Sequence, residues 1–175
     1  MFYFAIGLLF LGYGQGQPPP SVSLLKGICI LQESKTIAGT IHLSEQPGQN
    51  LKLTGQIKGI SAGFHGFHIH HYGDLTNGCK STGGHFNPSG VFHGGKFAQN
   101  RHVGDLGNIF VNQSEVYDLD MTDGLAKLSG KHSVYGRAIV IHAGRDDNGR
   151  GGNEGSLKTG NAGGRLACCI IAHAK

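Results

Sequence analysis

The chain has 175 residues, 38% of them hydrophobic and only 15% charged, with 31 glycines, no tryptophan and a formal net charge of +4. It shows no internal repeat and reads as one domain, long enough to bury a real core. Its Lys and Arg residues are dispersed, with no basic run and no interleaved aromatic pattern, which argues against a nucleic-acid partner.

Taken in order, residues 2–12 (FYFAIGLLFLG) form an apolar run too short to span a bilayer, followed by Gly12, Gly14 and Gly16 and then QPPPS. This predicts a secretory signal peptide and Pro-rich junction over residues 1–20 and a mature secreted domain over 21–175 with no membrane partner; a retained membrane anchor is the alternative. Export would also make Asn112-Gln113-Ser114 usable as an N-glycosylation sequon.

Runs of β-type residues recur at 23–31, 36–44, 51–59 and 64–71, and again at 106–112, 115–121, 137–143 and 165–172. Leu51 and Leu53 alternate with Lys52 and Thr54, and Ile28 and Ile30 are set against Lys26 and Gln32, so each strand should have one buried and one wet face. No segment keeps helical three-four spacing for more than two turns. The expected fold is all-β: an eight-stranded antiparallel sandwich or flattened barrel. Two long connections, near 72–104 and 144–164, should carry function.

The chemistry concentrates between Phe64 and Asp105, a stretch that holds seven of the eleven histidines. His68 and His70 stand two apart in a strand-like run, so both imidazoles emerge on one face and can share a metal. His85, His93, His102 and Asp105 follow, spaced by segments rich in Gly, Ser, Asn and Pro that can fold back around an ion. Imidazole with a single carboxylate suits copper or zinc rather than calcium or magnesium. In the strand RAIVIHA, Ala138, Val140 and His142 share a face, so His142 can join the pair from a neighbouring strand. The glycine-rich loop beyond it carries Asp146 and Asp147, suited to orienting a ligand imidazole, and ends at Arg165, suited to docking a small anion.

The motifs GFHIH, GGHFNP, RHVGDLGN and GNAGGRLAC closely resemble those of the copper/zinc superoxide dismutases, across nearly all of the chain from Gly27 to Ala172. The resemblance implies that family's Greek-key sandwich. It implies copper on His68, His70, His85 and His142 and zinc on His85, His93, His102 and Asp105, with His85 bridging the two. It further implies Asp146 as the link between His68 and His93, and Arg165 beside the open copper position. The implied reaction is dismutation of superoxide to dioxygen and hydrogen peroxide, an antioxidant defence outside the cell, with copper alternating between Cu(II) and Cu(I) and His85 taking and returning a proton. Lys158 and Thr159 are candidates for guiding the anion, with Glu154 shaping the field; Gly155 stands where family members often carry a second glutamate.

Four cysteines allow three complete pairings. The resemblance implies Cys79–Cys168, tying the first long loop to the last strand. Cys169 faces the other side of that strand, which leaves Cys29 and Cys169 either as a second bridge or as two buried thiols. A homodimer is also implied, with Tyr72, Gly73, Ile170 and Ile171 as interface candidates. His65 reads as a structural residue, and His42, His71, His132 and His173 as exposed rather than liganding. A metal-storage or chaperone module on the same fold would be expected to lack some ligands or the arginine, and a purely structural, adhesive sandwich would leave His142 without a purpose.

Overall fold

The computed structural model describes residues 23–31 and 36–175; the expected leader over 1–20 lies outside them. Among these residues ten strands and one α-helix follow in order, besides two short 3-10 turns: β1 (Leu25–Leu31), β2 (Ala38–Glu45), β3 (Leu51–Lys58), β4 (Gly63–His70), β5 (Thr76–Cys79), β6 (Asp105–Val111), β7 (Val116–Asp123), β8 (Ala138–His142), α1 (Glu154–Thr159), β9 (Arg165–Ile170) and β10 (Ala172–His173). Nine of these strands form two antiparallel sheets, ordered β10-β1-β2-β3-β7 and β6-β4-β8-β9, while β5 stands outside both.

The side-chain alternation builds the core between the sheets. Leu51, Leu53 and Ile57 of β3 are buried and Lys52, Gln56 and Lys58 exposed. From the other sheet Phe67, Ile69, Ile139 and Ile141 meet them, all fully buried. The expected sandwich is therefore present, with one correction to the last strand and one to the faces of β1. The last predicted strand changes sheets: Ile170 pairs with Ala138 of β8, whereas Ala172 pairs with Ile28 of β1. Ile171 sits at the corner, its N–H donating to Arg137 O and its carbonyl accepting from Gly136 N. Buried there, Ile171 belongs to the core and is withdrawn as an interface candidate, while Ile170 remains exposed. In β1 the expected faces are reversed: Cys29 and Leu31 point inward, and Ile28 and Ile30 outward.

The short helix α1 was not expected. It has six residues, too few to display an apolar stripe, but its ends carry local signals. Asn153 caps it by accepting from Ser156 N, and Gly160 closes it in the left-handed conformation with φ 68°.

Candidate metal centre

Because Phe67 and Ile69 face the core, His68 and His70 emerge on the outer face of the four-stranded sheet, beneath the two long loops. His142 reaches the same face from β8. Register irregularities flank these positions, between Gly66 and His68 against β6 and between Ile141 and His142 against β9. Such bulges re-aim side chains, and here they turn His142 and Arg165 toward one site. The first loop brings in His85, bridged to His70 through the backbone.

The hydrogen bonds fix which nitrogen each ring offers. His70 Nδ1 lies 2.8 Å from Gly83 O and His142 Nδ1 3.2 Å from Gly163 O. A carbonyl only accepts, so both Nδ1 atoms carry the proton and both Nε2 atoms present lone pairs. Those two Nε2 atoms face each other at 3.2 Å. His68 Nε2 donates to Asp146 Oδ2 at 2.9 Å, which leaves His68 Nδ1 a bare acceptor, buried and without a hydrogen-bond partner. His85 Nε2 is likewise buried and unpartnered. Four imidazole nitrogens thus converge within 4.8 Å of one another, and a buried set of acceptors with no donor between them fits a cation.

A second set shares His85. Asp105 Oδ1 lies 2.8 Å from His85 Nδ1, 3.0 Å from His93 Nδ1 and 3.1 Å from His102 Nδ1. His93 Nδ1 makes no hydrogen bond despite that distance. Its Nε2 donates to Asp146 Oδ1 at 2.8 Å, and His102 Nε2 donates to Val91 O at 3.0 Å, so both Nδ1 atoms point inward as acceptors. Tetrahedral zinc with ligands at about 2.0–2.1 Å would separate donor atoms by about 3.3 Å, close to these spacings. The other oxygen, Asp105 Oδ2, accepts from the backbone N–H groups of His102 (2.8 Å) and Gly94 (3.1 Å) and so holds the carboxylate still.

Asp146 connects the two sets by engaging the outer nitrogens of His68 and His93 with its two oxygens. It is fully buried, and Asn108 brackets its backbone through both side-chain atoms. Gly160 is required beside it, since a Cβ there would overlap the Asp146 carboxylate. Asp147, the neighbouring candidate, turns away to Ser156 Oγ and Asn161 Nδ2 and secures the second loop. Asp146→Ala is expected to weaken metal binding at both sets by about 10–100-fold, measured by competition with a chelator.

Burial dominates the titration of the first set. It lowers His68 to about 3, with the charge of His85 adding to the effect, and lowers His142 to about 4; His70 and His85 are also pushed down, chiefly by burial. Burial lowers His93 too, but the carboxylates of Asp105 and Asp146 outweigh it and raise the ring to about 9. In metal-free protein the four lowered histidines stay neutral when folded and gain protons on unfolding once the pH is below about 6.5. Their contribution is complete above that pH and falls as the solution is acidified, by at most about 1.4 kcal/mol per pH unit for each. His93 has the opposite sign: its contribution is full below about 6.5 and is lost as pH rises through about 9. Denaturation of the metal-free chain between roughly pH 5 and 9 should therefore give greatest stability near neutrality, and a flat profile would contradict the burial of these rings.

Arg165 lies beside the first set. With His70, His85, His142 and Thr159 it lines a cavity of about 100 Å³. Its Nη1 donates to Cys79 O and, at 2.9 Å, to Thr82 Oγ1, while Nη2 donates to Gly83 O at 2.6 Å. Cys79 is bridged to Cys168, three residues beyond Arg165, so the disulfide fastens the loop that holds the guanidinium. Cys29 and Cys169 form a second bridge, and no cysteine is free.

Sequence reasoning missed three residues. Thr82, fully buried, completes the Arg165 clamp and donates to Cys79 O at 2.9 Å. Buried Arg101 supports the turn of the second set by donating to the carbonyls of His102, Val103 and Asp105 and pairing with Asp123 at 2.6 Å. Lys80 and Arg165 line an adjoining outer cavity, whereas Lys158 is engaged with Glu154 and lines no part of the inner one. No periodic signal marks Thr82 or Arg101, because both act on loop carbonyls.

The other histidines stay outside both sets. His65 spans the carbonyls of His142 and Ser61. His42, His71 and His173 are exposed, and His132 is half-buried near Leu125 O. A cavity of about 420 Å³ is lined by Lys96, Asn108, Asn148 and Arg150 and contains none of the liganding side chains. Among the described residues no helix is long and apolar enough to cross a membrane.

Two comparisons with known proteins agree with this geometry. The family model described as copper/zinc superoxide dismutase (SODC) matches residues 37–171. The crystal structure of the clock protein EA4 is similar at 41% identity with a TM-score of 0.82, covering 93% of this chain and all of that one.

Proposed function

The chain belongs to the copper/zinc superoxide dismutase family and is an oxidoreductase of that type, and on that premise we propose that it dismutes superoxide outside the cell. Two superoxide anions and two protons give one dioxygen and one hydrogen peroxide. Copper is assigned to His68, His70, His85 and His142, and zinc to His85, His93, His102 and Asp105. The observation that carries the reading is the opposed pair of His70 and His142 Nε2 lone pairs, beside two buried nitrogens with no partner, next to a fixed guanidinium.

Bound copper supplies one-electron redox chemistry, and bound zinc a fixed positive charge. The chain's own residues do the rest. Arg165 binds the anion, its planar fork held in place by loop carbonyls and Thr82. A cavity of about 100 Å³ has room for a diatomic anion. His85 would hold a proton at Nε2 between half-reactions and return it to the peroxide product, since that nitrogen is buried without another partner while Nδ1 faces Asp105. Asp146 keeps His68 and His93 in the tautomers that direct their Nδ1 atoms inward. Lys80 at the outer cavity adds positive charge along the approach to Arg165.

The extracellular destination is supported by the apolar run at 2–12, by the two disulfides and by the absence of free thiols. A homodimer is supported by exposed Ile30, Tyr72 and Ile170, and by a shallow cavity of about 290 Å³ lined by Ile28, Ile30, Leu75, Ile170 and Ala172. Metal content of the purified protein, paired with superoxide consumption, tests the central reading. Near-equal copper and zinc with fast turnover is expected; zinc alone, with no turnover after copper is added, would sink it.

A further inference from the structure

On the outer face of the four-stranded sheet, away from the histidines, Phe64 and Phe110 form a cross-strand pair with ring centroids 4.9 Å apart. Both rings are open to solvent, Phe64 at 45% and Phe110 at 57% exposure. Arg145 lies over Phe64, 4.9 Å from its ring centroid, and forms no ion pair among the described residues. An aromatic pair held open beside a guanidinium without an ion pair is a surface able to receive a polar ligand with an apolar face.

The chain supplies a place to tether one. Phe110 points out of β6, Val111 points in, and Asn112 follows Phe110 by two residues and is exposed, as are Gln113 and Ser114. These residues form the turn to β7, closed by Glu115 N donating to Asn112 O at 3.1 Å, with Glu115 at φ 55°. Asn112 Oδ1 accepts from both the N–H (2.9 Å) and the hydroxyl (2.5 Å) of Ser114, while Asn112 Nδ2 makes no hydrogen bond among the described residues. Across the sheet, Ser61 and Ala62 are small and exposed, and a Cβ added to Gly63 would touch nothing within 4 Å. A free amide nitrogen therefore stands at the rim of a low-walled aromatic platform.

We propose that Asn112 carries an N-linked glycan whose first N-acetylglucosamine lies on the Phe110–Phe64 pair. The inference rests on the extracellular reading given above. In the transfer, Asn112 Nδ2 attacks C1 of a polyprenyl-diphosphate-linked oligosaccharide. The N–C1 bond forms, the C1–O bond to the diphosphate breaks, the lipid diphosphate leaves, and Nδ2 loses one proton. The C–H face of the pyranose then packs against the electron-rich ring faces, and Arg145 donates to the sugar's hydroxyl or acetamido oxygens. Covered in this way, Phe110 of edge strand β6 and Phe64 of its neighbour β4 are no longer exposed apolar rings.

The test uses the full chain expressed in a secreting eukaryotic cell, as wild type, Asn112→Gln, Phe110→Ala and Phe110→Tyr. Mass before and after peptide N-glycosidase treatment, with Asn-to-Asp conversion located by peptide mapping, reads the site. For the wild type and Phe110→Tyr, glycan removal should lower the melting temperature by about 2–4 °C, and in the intact glycoprotein the N-acetyl methyl resonance of the first sugar should be shifted upfield by the ring. In Phe110→Ala both effects should be lost, while Asn112→Gln should carry no glycan at this turn. Secreted wild type without a glycan at Asn112 overturns the inference and leaves the extracellular reading standing. So does a glycan whose methyl shift and melting effect survive Phe110→Ala. A chain retained unglycosylated in the cytosol overturns both readings.

Discussion

His142→Ala is expected to reduce superoxide consumption by more than the roughly 10–100-fold that follows loss of a ligand's outer partner, while leaving the zinc equivalent in place. The mutation deletes one of the two Nε2 atoms that face each other at 3.2 Å, and with it one wall of the cavity in front of Arg165. It removes none of the four donor atoms of the second set, whose Asp105 Oδ1 gathers His85, His93 and His102 at 2.8–3.1 Å. The fold should survive, because the bond from His65 to residue 142 uses the backbone carbonyl and outlasts the side chain. Metal analysis together with turnover checks the prediction. Undiminished turnover would remove His142 from the copper set. Loss of zinc along with activity would mean that the two sets do not separate at His85 as their geometry indicates.

Removing the two disulfides one at a time should separate stability from activity. Each pair of alanine substitutions, Cys79→Ala with Cys168→Ala or Cys29→Ala with Cys169→Ala, should cost about 2–5 kcal/mol in reversible denaturation. The bridges span 89 and 140 residues, so each restricts a long segment of the unfolded chain. Their local consequences differ. Cys29 and Cys169 sit in the core between β1 and β9, and neither supplies a group to the Arg165 clamp, so their loss should leave turnover of the folded protein near the wild-type value. Cys79 O is itself an acceptor for Arg165, and Cys79 begins the turn whose Thr82 and Gly83 complete the clamp. Loss of that bridge should therefore also lower kcat/KM for superoxide. Equal activity losses in the two variants would contradict a specific role for the Cys79–Cys168 bridge in holding Arg165.

The legible parts of the fold were those governed by short-range periodicity. An antiparallel sandwich follows from alternation in segments such as Leu51–Lys58, and His68 and His70 share a face because every second residue of a strand does. The outward turn of Ile28 and Ile30 was legible but misread: exposed Lys26 stands two residues before Ile28 and so shares their face, while Cys29 and Leu31 face the core. The sheet switch at Ile171 was hidden, since the run LACCIIA is apolar throughout and the corner is made by hydrogen bonds to Gly136 and Arg137, thirty-odd residues earlier.

The fold class, the residue types able to ligate a metal and the first long loop that carries His85, His93 and His102 were thus all readable from local spacing and chemistry. Three-dimensional closure was needed to show which nitrogen of each ring is free, that Cys29 meets Cys169, and that Thr82 and Arg101 brace the loops. Those outcomes depend on the closure of segments far apart in the chain. A tautomer is set by the carbonyl or carboxylate that happens to lie behind the ring, and nothing in the neighbouring residues specifies that partner.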